Sequence, residues 1–311
     1  MKSAARIISI FVLVFCFCTT TYASSTAKLT AKIVDENGAS VPGASVCLSF
    51  SGAKQGDGGG LTSFCREGLS DKDGLFSDSS GTLAEVGVVA DKDGYYRSIQ
   101  KYEFKSSSFL LNRWEPWNPT VEVVLKKKRN PVAMYIKGTD NLKIPQEDKP
   151  IGYDLMVGDM VAPYGAGIVS DFVFTFHANN RAYTDYDCNF TLTFSNPMDG
   201  IQEYTFSPKE QSLYRWPFEA PDTGYANTVH KEKMMVPGKG YTSNEKRDIH
   251  YLFRIRTKVD KDGKIIEGLY GKIEKEFEFD PTGNIFFGYF LNPDTTRNLE
   301  EDPKKNLFKK K

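Results

Sequence analysis

The chain has 311 residues, with 40 Lys and Arg against 40 Asp and Glu. That balance removes any electrostatic case for nucleic-acid binding, which needs a basic surface to displace counterions from phosphates. Aromatics make up 13% of the residues and Gly and Pro recur at short intervals. No stretch carries apolar residues at helical spacing for three turns between caps, so the sequence predicts an all-β protein.

Lys2 and Arg6 precede an apolar run, Ile7 to Cys18, which is followed by Thr19-Thr20-Thr21-Tyr22-Ala23. This is the three-part pattern of a secretory signal peptide over residues 1–23, with cleavage expected after Ala23. The apolar run is about half the roughly 20 residues needed to cross a bilayer, so no membrane span is expected. The protein is expected to be exported to the periplasm, the cell surface or the medium. Removing Lys2 and Arg6 leaves 38 basic residues against 40 acidic ones. About 290 remaining residues exceed a usual single domain and suggest two.

The first domain is expected over 24–129. In Lys28-Leu29-Thr30-Ala31-Lys32-Ile33 the apolar residues alternate with polar ones, as in a half-buried strand. Asp35-Glu36-Asn37-Gly38 turns the chain, and Val41-Pro42-Gly43 makes a second bend before a strand from Ala44 to Phe50. The Gly-rich stretch from Ser51 to Gly60 reads as a long hairpin loop. A hairpin centred near Gly56 sets Phe50 opposite Thr62, Leu48 opposite Phe64 and Cys47 opposite Cys65. In an exported protein these cysteines can form a disulfide, stabilising by about 3 kcal/mol in the chain-entropy model; two buried thiols are the alternative. Cys188 is then left over, and its place before the strand Asn189 to Phe194 suits a buried thiol better than a nucleophile.

Asp-Lys-Asp-Gly occurs at Asp71, Asp91 and Asp260. None of the copies continues into an EF-hand loop, and a hairpin turn needs the same residues without a metal. No metal and no cofactor are expected.

Three motifs, Gly38-x-x-Val41-Pro42-Gly43-Ala44-Ser45-Val46, Ser70-Asp71-x-x-Gly74-x-Phe76 and Val88-x-Ala90-x-x-x-Gly94-Tyr95, resemble the carboxypeptidase regulatory-like family. The resemblance covers about a third of the chain and implies a small transthyretin-like or prealbumin-like β-sandwich acting as an accessory module. The Gly-rich excursion between Phe50 and Thr62 and the run Trp114-Glu115-Pro116-Trp117-Asn118-Pro119 depart from the family pattern. Trp114 and Trp117 could form a flat platform for sugar rings, or could pack against Pro116 and Pro119 or against the neighbouring domain.

Thr120 to Leu125 reads as the last strand of this domain, and a second domain is expected over 130–311. Its strands alternate: Phe172, Phe174 and Phe176 on one face, Phe190, Leu192 and Phe194 in the next, and Ile249, Tyr251, Phe253 and Ile255 against His250, Leu252, Arg254 and Arg256. Ile285 to Leu291 is apolar enough for a central strand buried on both sides, and the basic tail Lys304 to Lys311 reads as a frayed terminus. A larger antiparallel, jelly-roll-like sandwich fits this pattern.

Ile151 to Gly165 has the Gly, Asp and aromatic texture of a binding loop, and of a tight turn. Asp154, Asp159, Asp171, Glu203 and Glu219 are the carboxylates that could serve a glycoside hydrolase. No Gly-x-Ser-x-Gly elbow, zinc helix or phosphate loop is present. His177, His230 and His250 are too scattered for a zinc site. His250 with Arg254 and Arg256 could make a cationic patch for a carboxylate or sulfate, or simply a solvated sheet face. The sequence therefore favours a non-catalytic binding or structural protein, with a glycan or an envelope protein as partner; a polysaccharide hydrolase is the alternative. Candidate ligand residues are Trp114, Trp117, His250 and Arg254.

Overall fold

The computed structural model describes residues 25–53 and 61–308. The expected leader, residues 1–23, lies outside them, as do residues 54–60 of the Gly-rich loop and 309–311 of the basic tail. The described residues form strands and turns with no helix, so none is long and apolar enough to cross a membrane. The protein is all-β. Contacts divide the chain into two compact units, one of residues up to Asp91 with Ile99–Val123, the other of Lys92–Ser98 with Val124 onward.

The first unit contains β1 (Thr26–Asp35), β2 (Ser45–Ala53), β3 (Leu61–Leu69), β4 (Leu75–Gly81), β5 (Glu85–Asp91), β6 (Ser98–Glu103), β7 (Ser106–Ser108), β8 (Arg113–Glu115) and β9 (Thr120–Leu125), the last two residues of β9 and the first of β6 counting with the second unit. One sheet runs β4-β1-β8-β7 with β9 also on β1, the other β3-β2-β5-β6. Alternate residues form the core: Leu29, Ala31 and Ile33 from β1, Val46, Leu48 and Phe50 from β2, and Val86, Val88 and Ala90 from β5. Burying every second side chain on each sheet is what a sandwich requires.

The turn chemistry is spelled out by hydrogen bonds. Asp71 Oδ1 accepts from the amides of Asp73 and Leu75, with Gly74 at φ +77°. Asp260 does the same for Asp262 and Lys264, with Gly263 at +78°. Asp35 and Asp280 build the same turn before Gly38 and Gly283. These carboxylates cap local amides and need no cation. Next to the Asp71 turn, the buried Ser70 hydroxyl donates to the Val41 carbonyl and accepts from the Ala44 amide, so the Pro42-Gly43 bend and the Ser70-Asp71 turn are one structure.

A β-carbon on Gly74 would stand 2.4 Å from the Ile33 carbonyl, whereas one on Gly94, at φ +81°, would meet open space. Gly74→Ala is therefore expected to cost about 2 kcal/mol or more and Gly94→Ala only about 1, the strain of the left-handed backbone alone. Urea unfolding midpoints check this; equal losses would remove the steric part.

Cys47 and Cys65 are joined by a disulfide with Cα atoms 5.5 Å apart. The hairpin register differs from the expected one. Phe50 lies opposite Phe64, Leu48 opposite Arg66, Cys47 opposite Glu67 and Cys65 opposite Ser49, a slip of two residues that makes the cross-link diagonal. The phenylalanine pair, with centroids 5.9 Å apart, occupies the directly opposed position, consistent with aromatic cross-strand pairs setting register.

The second unit contains β10 (Val132–Lys143), β11 (Ile151–Asp154), β12 (Asp159–Met160), β13 (Phe172–Ala182), β14 (Asp185–Thr193), β15 (Gly200–Tyr204), β16 (Thr228–Val236), β17 (Gly240–Ser243), β18 (His250–Val259), β19 (Ile265–Ile273), β20 (Glu278–Phe279), β21 (Asn284–Asn292) and β22 (Glu301–Asn306). One sheet runs β15-β18-β19-β21-β10-β22 with β20 on β21, the other β12-β11-β13-β14-β16-β17. Hairpin neighbours such as β13-β14 and β18-β19 lie within a sheet, and the chain crosses between the sheets at β10–β11, β14–β15, β15–β16 and β17–β18, as in the expected antiparallel sandwich. Between the sheets Phe172 meets Phe253 at 5.3 Å and Phe174 meets Phe287 at 5.7 Å.

The outer side of the larger sheet is covered. Tyr214, Trp216 and Ala220 from the connection 205–227 pack on Leu252, Tyr270 and Leu299. Lys272 is fully buried there: its ammonium donates to the Leu299 carbonyl, is paired with Glu301, and lies 5.1 Å from the Tyr214 ring centre and 5.3 Å from that of Trp216. β21 is central but alternates, with Phe286 and Phe290 only half-buried. Residues 304–306, the start of the tail expected to be frayed, belong instead to β22, which pairs in parallel with β10.

Candidate functional site

Tyr204 ends β15, Lys233 lies in β16 and His250 opens β18, and these strand ends with the β19–β20 connection surround an open groove of about 1010 Å³. His250 forms its floor. Its ring centre is 3.8 Å from that of Phe206 and 5.6 Å from that of Trp216. The Arg215 guanidinium covers Phe206 at 4.2 Å. Tyr241, Arg247 and Lys275 continue the lining.

The amide of Lys275 donates to His250 Nδ1 at 3.1 Å, which places the proton of the neutral ring on Nε2 as a donor. Burial, with the Arg215 charge adding to it, pushes the imidazole below its ordinary range. Asp248 and Lys275 both take left-handed backbone angles, φ +58° and +77°, and non-glycine residues held that way cluster at functional sites. The neutral ring is expected to contribute stability above about pH 6.5 that is lost as pH falls through the lower folded value. An NMR titration of His250 with its midpoint at or above 6.5 would refute this.

Three glutamates line the groove, Glu245, Glu276 and Glu278, and the first two are engaged. Glu276 accepts from Tyr251, Phe277, Lys231 and the Lys246 amide, and Glu245 pairs with Lys233 at 2.8 Å. The five carboxylates named for hydrolysis are also occupied. Asp171 receives a two-pronged donation from Arg256, Glu203 pairs with Lys246 and Glu219 with Arg297. Asp159 accepts from the amides of Met160 and Ala166. Asp154 accepts from four amides, Met156, Val157, Ile168 and Val169, and from Arg256. Burial alone would raise Asp154, yet these amides and Arg256 hold it below its ordinary value; in Asp171 burial prevails and the carboxyl is raised. The Ile151 to Gly165 run is thus a braced turn.

Arg254 does not join His250 in a cationic patch. It is buried, spends its two terminal nitrogens on the carbonyls of Asp222 and Met198, and lies over Tyr225 at 4.8 Å. Arg256 leaves that face altogether, because a bulge between Ile255 and Lys258 and a φ of +53° turn it toward Asp154 and Asp171. The three histidines stay apart, His177 on Asp148 and His230 on Thr191. Among the described residues no three His, Cys, Asp or Glu are placed to hold a metal.

In the first unit Trp114 and Trp117 have separate roles. Trp114 donates to the Thr82 carbonyl and packs near Phe104, while Trp117, 39% exposed, carries Arg113 on its face at 5.0 Å. Cys188 is buried, which pushes its thiol up to about 11 and makes it a poor nucleophile.

The residues that sequence reasoning missed are Phe206, Arg215 and Tyr241. The first two belong to the connection 205–227, which has no periodicity to read.

No protein-family model and no curated protein sequence matches the chain. Among solved structures, a 3-chlorocatechol 1,2-dioxygenase from Rhodococcus opacus 1CP is similar over 34% of this chain and 61% of its own length, with 12% identity and a TM-score of 0.26. A mutant of the shaft pilin spaA from Lactobacillus rhamnosus GG is similar over 89% of this chain and 96% of its own, with 9% identity and a TM-score of 0.21. Likenesses this distant carry no argument about fold or function.

Proposed function

We propose that this is an exported, non-catalytic binding or structural protein of the cell envelope, in the periplasm, at the cell surface or outside, that holds a carbohydrate in the groove above His250. The first unit is proposed to be a carboxypeptidase regulatory-like accessory module, supported by the Ser70 bridge that ties two of its motifs together. The observation that carries the ligand class is the close, tilted contact of a singly donating His250 with Phe206, 37° between ring planes, at the floor of an open groove. Flat rings suit the C–H faces of sugars, and surrounding Arg, Lys and Glu groups suit their hydroxyls. Acid–base work needs a carboxylate free to exchange a proton with substrate; Glu245 and Glu276 are held by internal bonds, which favours binding over hydrolysis and leaves Asp248 and Glu278 as the lining carboxylates to test.

A glycan array probed with the purified protein, beside a reducing-sugar release assay, tests this. Binding without release is expected, and Phe206→Ala should weaken it about tenfold or more. Release abolished by Asp248→Asn or Glu278→Gln would assign a hydrolase instead. Capture of an envelope protein with no glycan signal would replace the ligand class.

A further inference from the structure

Gly138 in β10 and Gly288 in β21 stand directly opposite each other. Tyr135, Phe287 and Tyr289 of the same strands pack inward, so alternation places 136, 138, 286, 288 and 290 on the side away from the core. Glycine in the middle of a strand weakens it, and each one needs a reason. For Gly271, in the neighbouring β19, the reason is steric, since a β-carbon there would run into the Phe253 ring. At Gly138 a β-carbon would meet nothing within 4 Å, at Gly288 only ordinary contacts at 3.9 Å, and neither residue has a left-handed φ. Neither backbone nor packing demands glycine at these two places. What remains is room for something that lies close on the sheet.

The bare pair is the floor of an open hollow of about 360 Å³. Phe286 and Phe290, both half-buried, flank Gly288 along β21, and Ile136 stands opposite Phe290. Phe290 also meets the buried Lys272 ammonium at 5.0 Å, beside the cover laid by residues 205–227, whereas Gly138 is exposed. Lys275, Glu276 and Glu278 line this hollow and the groove of His250 alike. Glu278 stands opposite Phe286 in the pairing of β20 with β21, and the Lys275 amide bonds His250. The two hollows therefore meet. β19 and β21 separate the strand of His250 from that of Gly138, three steps of about 4.8 Å, or roughly 14 Å in all. That distance exceeds the reach of two pyranose rings.

We propose that the glycine trough is a second subsite of the groove, and that the ligand is a linear glycan longer than a disaccharide, running from His250 past Lys275 and Glu278 onto Gly138 and Gly288. This rests on the carbohydrate reading of the groove. A pyranose ring lies flat on two bare glycines, and Phe286 and Phe290 at either end of the floor meet its C–H edges. The exposed Lys275 and Glu278 supply a donor and an acceptor for its hydroxyls. A protein strand is a poor alternative, because β10 and β21 are each paired on both sides and leave no backbone edge to join. A floor two strands wide is also narrow beside the broad patch, about 800 Å² a side, of a stable protein contact.

Calorimetric titration of the purified protein tests this with a disaccharide and a hexasaccharide from each of three series: cellobiose and cellohexaose, diacetylchitobiose and chitohexaose, digalacturonate and hexagalacturonate. In at least one series the hexasaccharide is expected to bind tenfold or more tightly than the disaccharide. Gly138→Val/Gly288→Val fills the floor with side chains that suit a strand, and in it the hexasaccharide should bind no more tightly than the disaccharide. Far-UV circular dichroism should match the wild type. If the valines disturb the sheet, Gly138→Ala/Gly288→Ala takes their place: its thermal midpoint should equal or exceed that of the wild type, and the length gain should fall at least threefold. Equal binding of both lengths, or a length gain that a folded glycine variant retains, would overturn the subsite and leave the His250 groove standing. No binding by any of the six sugars would overturn the groove reading and the subsite together. A concentration-dependent protein dimer that the valines abolish, with no sugar signal, would assign the trough to a protein contact and overturn the proposal as well.

Discussion

Replacing Arg256 with Met should cost the second unit about 3 kcal/mol at pH 7. The guanidinium gives two bonds of 2.8 Å to Asp171 and one of 2.9 Å to Asp154, and both carboxylates are almost wholly buried. Removing one partner of a buried pair leaves charge without compensation, at a typical cost of about 3 to 5 kcal/mol; the partial exposure of Arg256 argues for the lower end. The pH dependence separates this from a packing defect. In the wild type Asp154 is held low, so its contribution is present above the unfolded value and is lost as pH falls through the folded one. In the variant Asp154 should rise, and Asp171, already raised by burial in the wild type, should rise further, so the folded state binds extra protons and gains stability toward acid. The gap between the proteins should therefore narrow from pH 7 to pH 4 in urea titrations. A gap independent of pH would mean that lost packing, not charge, accounts for the loss. Adding Asp171→Asn to Arg256→Met should recover part of it.

Above pH 10 the second unit should unfold steeply. Tyr153, Tyr214, Tyr251 and Tyr289 are 0–3% exposed, and burial raises each phenol well above its ordinary value. An acid whose folded pKa is raised loses its proton first in the unfolded chain, so stability is intact below the unfolded value near 10 and falls as pH rises beyond it. Each such phenol contributes about 1.4 kcal/mol per pH unit, and four together about 5. Lys272, whose pKa is lowered by burial, works in the opposite direction only below about 10.5, where the unfolded ammonium still holds its proton. The chain has 16 tyrosines, so the phenolate absorbance near 295 nm of these four is isolated by difference from their Tyr→Phe variants; that part should appear together with the loss of far-UV circular dichroism as one transition. Ionisation that precedes unfolding by a full pH unit would show that these hydroxyls reach solvent in the native state.

Local features were legible in the sequence for a local reason. The alternation of Phe172, Phe174 and Phe176 and of Tyr251, Phe253 and Ile255 directly marks the buried face of a strand, and the Asp-x-x-Gly turns close over five residues. Even there the pattern extends further than repetition of Asp-Lys-Asp-Gly suggests, since Asp35 and Asp280 turn the chain with different middle residues. Alternation fails at Arg256, where one bulge reverses the side chain and converts an imagined surface cation into the centre of a buried network. It fails for Arg254 as well, because a polar position on a strand reads as solvent-facing unless one knows that residues 205–227 fold back over that side. The groove was legible only at His250. Its floor depends on Phe206 meeting that ring, a contact that side-chain spacing along a strand cannot announce.

The parallel pairing of β22 with β10 has a consequence for the order of events during synthesis. Glu300 accepts the amides of Arg129 and Asn130, and Leu299 and Glu301 take up the buried Lys272 ammonium. Until residues 299–306 emerge from the ribosome, Lys272 has neither partner and the sheet remains open beside β10. The growing chain therefore cannot lock the second unit until β22 has been made.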